Sequence, residues 1–92
     1  MTVAEKFGQN LALARKRTGQ SQEALAFRAG LHRTEIGLLE RGERTPRIDT
    51  LVKLAAALCV EPGTLLDGIV WTPPEMEHGG FTLPPELPCD DA

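Results

Sequence analysis

The stretch QEALAFRAGLHRTEIGLL, residues 22–39, decides the fold of this chain. A small residue, Ala26, comes four positions after Gln22, and Gly30 follows four positions later. Apolar residues then come at the sixth and ninth positions after the glycine, Ile36 and Leu39. Two short helices that cross steeply need a small side chain at their contact, a turn that tolerates positive φ, and apolar residues that hold the second helix against the first. The spacing therefore predicts two helices joined by a tight turn.

Start and stop signals extend the helical pattern in both directions. Ser21 is a typical N-cap, and Gly19, Gly30 and Gly42 are typical helix stops. The predicted helices cover residues 3–18, 22–29, 32–41 and 48–58, and a brief fifth helix begins at Pro62. No strand-type alternation is evident, so we predict an all-α fold.

The charge is unevenly distributed along the 92 residues. From Trp71 onward there are five acidic residues and no Lys or Arg, whereas the first 70 residues hold all ten basic and eight acidic residues. The last segment also carries five of the seven prolines. We therefore divide the chain into a domain, residues 1–70, and a Pro/Gly-rich acidic tail, residues 71–92, that packs on the domain or on a partner. The net charge of −3 does not exclude a polyanionic partner for the domain.

Several functional classes are disfavoured by the sequence. No apolar run is long enough to span a bilayer and no signal peptide is evident, so we expect a cytoplasmic protein with no membrane partner. His32 and His78 lack nearby metal ligands, and no catalytic triad or phosphate-binding glycine loop is recognisable. We therefore expect neither an enzyme nor a bound metal or cofactor. Cys59, in the segment AAALCV, is expected to be a small buried apolar residue.

Three segments carry a family resemblance: FGQNLALARKRTGQSQEALA, LHRTEIGLLERGERTP and DTLVKLAAALCVEPGTLL. In order and spacing they resemble the Cro and phage-repressor-like helix-turn-helix domains, also called the xenobiotic-response-element-like group. The resemblance covers roughly residues 7–66. It implies a compact five-helix lambda-repressor-like domain that docks on double-stranded DNA with the helix at residues 32–41 in the major groove.

The resemblance assigns base-reading positions to this recognition helix. Arg33 and Thr34 match positions that reach base edges. Arg33 can bind guanine O6 and N7 bidentately, and Thr34 offers a hydroxyl and a methyl group. Glu35, at a neighbouring exposed position, either accepts from cytosine N4 or only favours the helix N-terminus. Leu38 meets a thymine methyl, a phosphodiester edge or a second protomer.

Other matched positions bind the DNA backbone or stabilise the domain. Gln22 matches a phosphate-contacting glutamine, and Arg44 and Arg47 match phosphate clamps in the following loop. His32 is either a flanking residue or a further phosphate contact. The remaining two matched residues form an internal ion pair between the first helix and the recognition helix in this family: Arg15 and Glu40.

The chain departs from the family pattern at five positions, one of which is Leu38, at a position that is often polar and DNA-facing. His32 stands where Ser or Thr is the usual N-cap, so the recognition helix is capped weakly or by another group. Gln20 replaces a core leucine at some cost in packing. Gly37 costs about 1 kcal/mol relative to alanine within a helix, a cost that close passage of the backbone to DNA would justify. Cys59 occupies a position where a C-terminal glycine is common, so that helix end is expected to adjust.

These observations favour a sequence-specific DNA-binding transcriptional regulator, acting as a homodimer on a palindromic operator. The alternative is an antitoxin or another protein-interaction module whose C-terminal tail binds a partner protein. Deletion of the tail distinguishes the two. Unchanged DNA binding with loss of a co-purifying protein supports the second.

Overall fold

The computed structural model of the protein describes residues 1–74 and 80–81. This part of the chain forms four α-helices, α1 (Val3–Arg17), α2 (Gln22–Ala29), α3 (Arg33–Glu40) and α4 (Ile48–Leu58). A 3-10 helix, Pro62–Leu66, follows α4. Two short strands, β1 (Trp71–Thr72) and β2 (Gly80–Phe81), pair antiparallel with Trp71 opposite Phe81. The four α-helices agree with the predicted ones to within one residue at each end.

Local capping explains where the first helices begin. The Thr2 hydroxyl accepts from the Glu5 backbone N–H at 3.1 Å, and the Glu5 carboxylate accepts from the Thr2 N–H at 2.8 Å. This capping box satisfies two backbone donors at the start of α1. Ser21 accepts from the Ala24 N–H at 3.0 Å and so caps α2. Gly30 ends α2 with φ 71°, a conformation that glycine adopts without strain.

One hydrophobic core holds the helices together. Helix α3 packs on both α1 and α2, while α2 packs on α4, and the 3-10 helix packs on α1 and α4. The largest fully buried side chains come from every one of these helices: Phe7, Leu11, Leu25, Ile36, Leu39, Leu54, Leu58 and Leu65. Helix α3 is thus held on one side by two helices, which leaves its opposite face open.

Gly8 allows α1 to approach α3 closely. A Cβ atom at this position would lie 2.6 Å from the carbonyl oxygen of Glu40, and it would also meet the carbonyl oxygen of Leu39. Real Cβ atoms do not approach backbone this closely, so an alanine here would push the two helices apart. The close contact brings the last turn of α3 within reach of side chains on α1.

The structure corrects three expectations. The fifth helix is a five-residue 3-10 helix, because Pro62 and Gly63 leave too short a segment for an α-helix. Residues 1–70 contain no strand, but in the predicted tail β1 pairs with β2, a pairing that was not expected; Thr72 precedes Pro73, which favours extended backbone there. Cys59 is exposed, because it ends α4 in the left-handed conformation with φ 59°, just past the buried Leu58.

No helix among the described residues is both long enough and apolar enough to cross a bilayer. Residues 75–79 and 82–92 of the predicted tail lie outside the described residues. The division of the chain at residue 70 and the partner-binding role of the tail therefore stay predictions.

Candidate nucleic-acid interface

Helix α3 has a buried face and an open face. Ile36 and Leu39 are fully buried on the inner side. Arg33 and Thr34, in the first turn, are exposed, while Glu35 and Leu38 are only partly exposed. The first turn of α3 therefore presents a guanidinium and a hydroxyl to an approaching ligand.

The cap of α3 is an imidazole. His32 Nδ1 accepts from the Thr34 backbone N–H at 3.3 Å. The side chain is therefore the N-cap of α3, in place of the usual Ser or Thr. A neutral histidine that accepts at Nδ1 carries its proton at Nε2. His32 is exposed, so an Nε2–H donor of this kind would be compatible with the phosphate contact predicted for His32.

An open cavity brings part of the predicted site together. Its lining residues are Gln22, Arg33, Thr34, Gly37 and Arg41. Helix α2 supplies the first of these, and α3 or its C-terminal cap supplies the other four. Five of the eight predicted contacts do not line it: His32, Glu35, Leu38, Arg44 and Arg47.

Arg41 was missed by sequence reasoning. Residues 33, 37 and 41 are spaced by four, so they share one face of the helix. That periodicity was the signal that could have identified Arg41 beside Arg33. Its side chain is more than half exposed, and its Nε donates to the Glu43 carboxylate at 2.8 Å.

Glu40 is the centre of a buried polar network behind the open face. Arg15 Nε and Nη2 donate to its two carboxylate oxygens at 2.6 and 3.0 Å. Gln22 Nε2 donates to Oε1 of the same carboxylate at 2.9 Å. Arg15 also donates to the Gln20 backbone carbonyl at 3.0 Å. The carboxylate thus joins α1, the following turn and α2 to the last residue of α3.

The network favours the charged form of Arg15. Hydrogen bonding to Glu40 raises the pKa of Arg15 above its ordinary value, burial acts in the opposite direction, and the Coulombic attraction of the carboxylate adds to the rise. The Arg15 and Glu40 side chains are 13% and 8% exposed. The bidentate geometry provides the compensation that such burial requires.

The Glu40 network also orients Gln22. One amide hydrogen of Gln22 is engaged by the carboxylate, which fixes the direction of the side chain at the N-terminus of α2. Within the described part of the chain the second amide hydrogen and the amide oxygen form no other hydrogen bond, and Gln22 lines the cavity. This arrangement is compatible with the predicted phosphate contact.

Gln20 carries the cost expected for a polar residue at a core position. Its Nε2 donates to the Thr18 hydroxyl at 3.1 Å and to the Ala57 carbonyl at 3.4 Å. Its buried Oε1 accepts no hydrogen bond within the described part of the chain. An unpaired buried acceptor costs free energy because its hydration is lost without replacement.

The two loop arginines lie beyond α3. Arg44 is exposed in the turn after Gly42. Arg47 forms the N-cap of α4, and its Nε lies 3.5 Å from Asp49 Oδ1 with the two side chains 83% and 55% exposed. Both guanidiniums are exposed, and the exposed pair of Arg47 with Asp49 is weak enough to be exchanged for a polyanion.

Comparisons with known proteins place the domain in a family. A helix-turn-helix family model matches residues 11–65. Control protein C.BamHI of Bacillus amyloliquefaciens is 45% identical over 62 residues, covering 66% of this chain and 76% of that protein. The family-model match thus includes α2, the turn and α3.

Solved structures share the fold. The restriction-modification controller protein C.AhdI from Aeromonas hydrophila superposes with a TM-score of 0.66 at 47% identity, covering 67% of this chain and 94% of that one. SinR, a master regulator for biofilm formation solved in complex with DNA, superposes with a TM-score of 0.64 at 37% identity, covering 66% of this chain and 98% of that one. Together with the exposed first turn of α3, these findings show that the chain belongs to the helix-turn-helix family of Cro-like DNA-binding transcriptional regulators.

Proposed function

We propose that this regulator binds a palindromic operator as a homodimer, with α3 of each protomer in the major groove of one half-site. The observation that carries the proposal is the exposure of Arg33 and Thr34 on the open cavity beside Gln22. A helix whose inner face is buried and whose first turn is polar matches the geometry by which such helices reach base edges.

Each predicted contact has a role in this arrangement. Arg33 binds guanine bidentately, and Thr34 contacts the neighbouring base pair. Glu35 and Leu38, partly exposed on the flanks of the helix, adjust preference at the edges of the half-site. Four further residues bind phosphate and set the register without reading sequence: Gln22, His32, Arg44 and Arg47.

The homodimer follows from the small size of one recognition surface. A single α3 contacts few base pairs, so a second protomer supplies the rest of the affinity and specificity. Exposed apolar side chains support self-association, since Phe27, Ile48 and Val52 are 87%, 77% and 50% exposed. The two half-sites are then expected about 34–36 Å apart, one turn of DNA. An operator with five base pairs inserted between its half-sites should bind far more weakly.

The relatives indicate a genetic role. C.AhdI is a restriction-modification controller, and C.BamHI is a control protein. We infer that this chain likewise controls the genes of a restriction-modification system and works in the cytoplasm, where its operator is. Transcription from the promoter of an adjacent restriction or methyltransferase gene should respond to the protein in a reporter assay. No catalytic role is proposed.

Selection of bound DNA from a random pool tests the mechanism. Arg33→Ala should abolish preference at one base position per half-site, a discrimination of about 1–3 kcal/mol, and Thr34→Ala should alter the adjacent position. Arg28→Ala, which removes an exposed arginine from α2 outside the cavity, is the matched control and should leave the motif unchanged. An unaltered motif for both α3 variants would overturn the assignment of the two base-reading residues.

A further inference from the structure

Arg41 lies across the recognition helix in a place that a glycine provides. A Cβ atom at Gly37 would lie 3.0 Å from Arg41 Nη1 and 3.7 Å from Cζ. The guanidinium therefore rests over the glycine backbone, on the same open cavity as Arg33 and Thr34. This gives a reason for the unfavourable glycine in the middle of α3, because a side chain at position 37 would shift the guanidinium from this place, by a few tenths of an ångström in the case of alanine.

The guanidinium is held by one acceptor only. Its Nε donates to Glu43, and within the part of the chain that the structure describes Nη1 and Nη2 donate no hydrogen bond. An arginine carries five N–H donors in a fixed fork, so four are left for a ligand. The Arg41 and Glu43 side chains are 58% and 53% exposed, and exposed pairs of this kind are weak and easily exchanged.

The position of Arg41 suits a contact with the phosphate backbone of DNA. It lies eight residues after Arg33 on one helix face, about 12 Å along the axis at 1.5 Å per residue. This distance is comparable with the width of the major groove. When the first turn of α3 faces the bases, the C-terminal cap of the helix is therefore near the phosphates at the groove edge.

We propose that Arg41 binds a DNA phosphate and that Glu43 is an internal competitor for the same guanidinium. In the free protein the carboxylate occupies Nε and holds the side chain over Gly37. When DNA binds, phosphate oxygens replace the Glu43 carboxylate. The lost pair with Glu43 offsets part of the phosphate contact, so Arg41 adds less to the affinity for DNA. The proposal rests on the docking of α3 proposed above.

A double-mutant cycle tests the proposal. The affinities of wild type, Arg41→Gln, Glu43→Gln and the double variant are measured on the selected operator and on a random duplex between 50 and 200 mM salt. Loss of one phosphate contact lowers the slope of log affinity against log salt concentration by about 0.9. The fourfold rise in salt should therefore reduce the affinity of Arg41→Gln by a factor about 3.5-fold smaller than the factor for wild type. The loss of affinity should be equal on both duplexes, since phosphates carry no sequence.

Glu43→Gln should strengthen binding up to about fivefold in the wild-type background and less when Arg41 is absent. An equal gain in both backgrounds would show that Glu43 only repels DNA, and this outcome overturns the competition. An unchanged affinity and salt slope for Arg41→Gln overturns the phosphate contact. Lys53→Gln, which removes an exposed charge from α4, is the control for net charge.

Gly37→Ala gives an independent test of the placement. Alanine favours the helix, so thermal stability should not fall, but displacement of the guanidinium should weaken binding. This weakening should be smaller in the Arg41→Gln background, and an equal weakening in both would contradict the role given to the glycine.

Arg33→Ala separates the two proposals. If it leaves the selected motif unaltered the docking of α3 fails, whereas failure of the Arg41 cycle alone leaves the docking in place.

Discussion

Two ion pairs lie at the C-terminal end of α3, and they differ in almost every physical respect. Arg15 and Glu40 are 13% and 8% exposed, joined by two hydrogen bonds, and come from different helices. Arg41 and Glu43 are 58% and 53% exposed, joined by one hydrogen bond, and are only two residues apart. Residues 40 and 41 are adjacent, yet one side chain is committed to the interior and the other is available to solvent.

The difference separates stability from recognition. A buried pair is costly to break, because removal of one partner leaves the other charge without compensation. An exposed pair contributes little, because water and salt replace it readily. The inner pair, Arg15 and Glu40, therefore fixes α3 on the domain. The outer pair, Arg41 and Glu43, is free to exchange its carboxylate for a phosphate.

The largest expected effect is that of removing Glu40. Glu40→Ala leaves the Arg15 guanidinium without its carboxylate and Gln22 without its acceptor, so the free energy of unfolding should fall by roughly 3 kcal/mol. Urea denaturation followed by circular dichroism measures the loss. A loss below 1 kcal/mol would mean that the pair is not a determinant of the fold.

A loss of intermediate size is expected at the helix contact that brings the inner pair together. Gly8→Ala places a Cβ 2.6 Å from the Glu40 carbonyl oxygen, and such overpacking typically costs about 1–3 kcal/mol. Gly63→Ala is the matched control, since a Cβ there meets nothing within 4 Å. The same denaturation experiment compares them, and equal midpoints would contradict the close approach of α1 to α3.

The smallest effect on stability is expected at the outer pair. Glu43→Ala should change the free energy of unfolding by less than about 0.5 kcal/mol, because an exposed pair is offset by its hydration and side-chain entropy. The small difference should shrink further in 0.5 M salt as the charges are screened. A loss comparable with that of Glu40→Ala would remove the distinction between the two pairs.

Much of the fold was predictable because its signals are local. Caps act over three residues, as at Ser21, and Gly30 marks a turn because it takes positive φ without strain. The exposure of Cys59 was not predicted, since its apolar neighbours suggested burial while its backbone conformation depends on where α4 ends. The imidazole cap at His32 was also unexpected, because the ring has to turn toward the Thr34 N–H.

Arg41 shows why the candidate site was predicted only in part. Its helical spacing from Arg33 was readable, but a long exposed side chain has many rotamers, and sequence does not choose among them. The cavity also needs Gln22 from α2, which is placed by the crossing of two helices. Arg41 and Gln22 therefore come together in one site only through the packing of α2 against α3.

The sequence by itself determined the helices, their limits, the turn at Gly30 and the apolar stripe of α3, because these depend on interactions between near neighbours and on periodicity. The tertiary structure alone decided that Glu40 receives Arg15 from 25 residues away and Gln22 from 18 residues away. Such contacts depend on helix crossing and on the absence of a side chain at Gly8. They leave Glu40 inside, where it stabilises the fold, and Arg41 outside, where its side chain is accessible to a ligand.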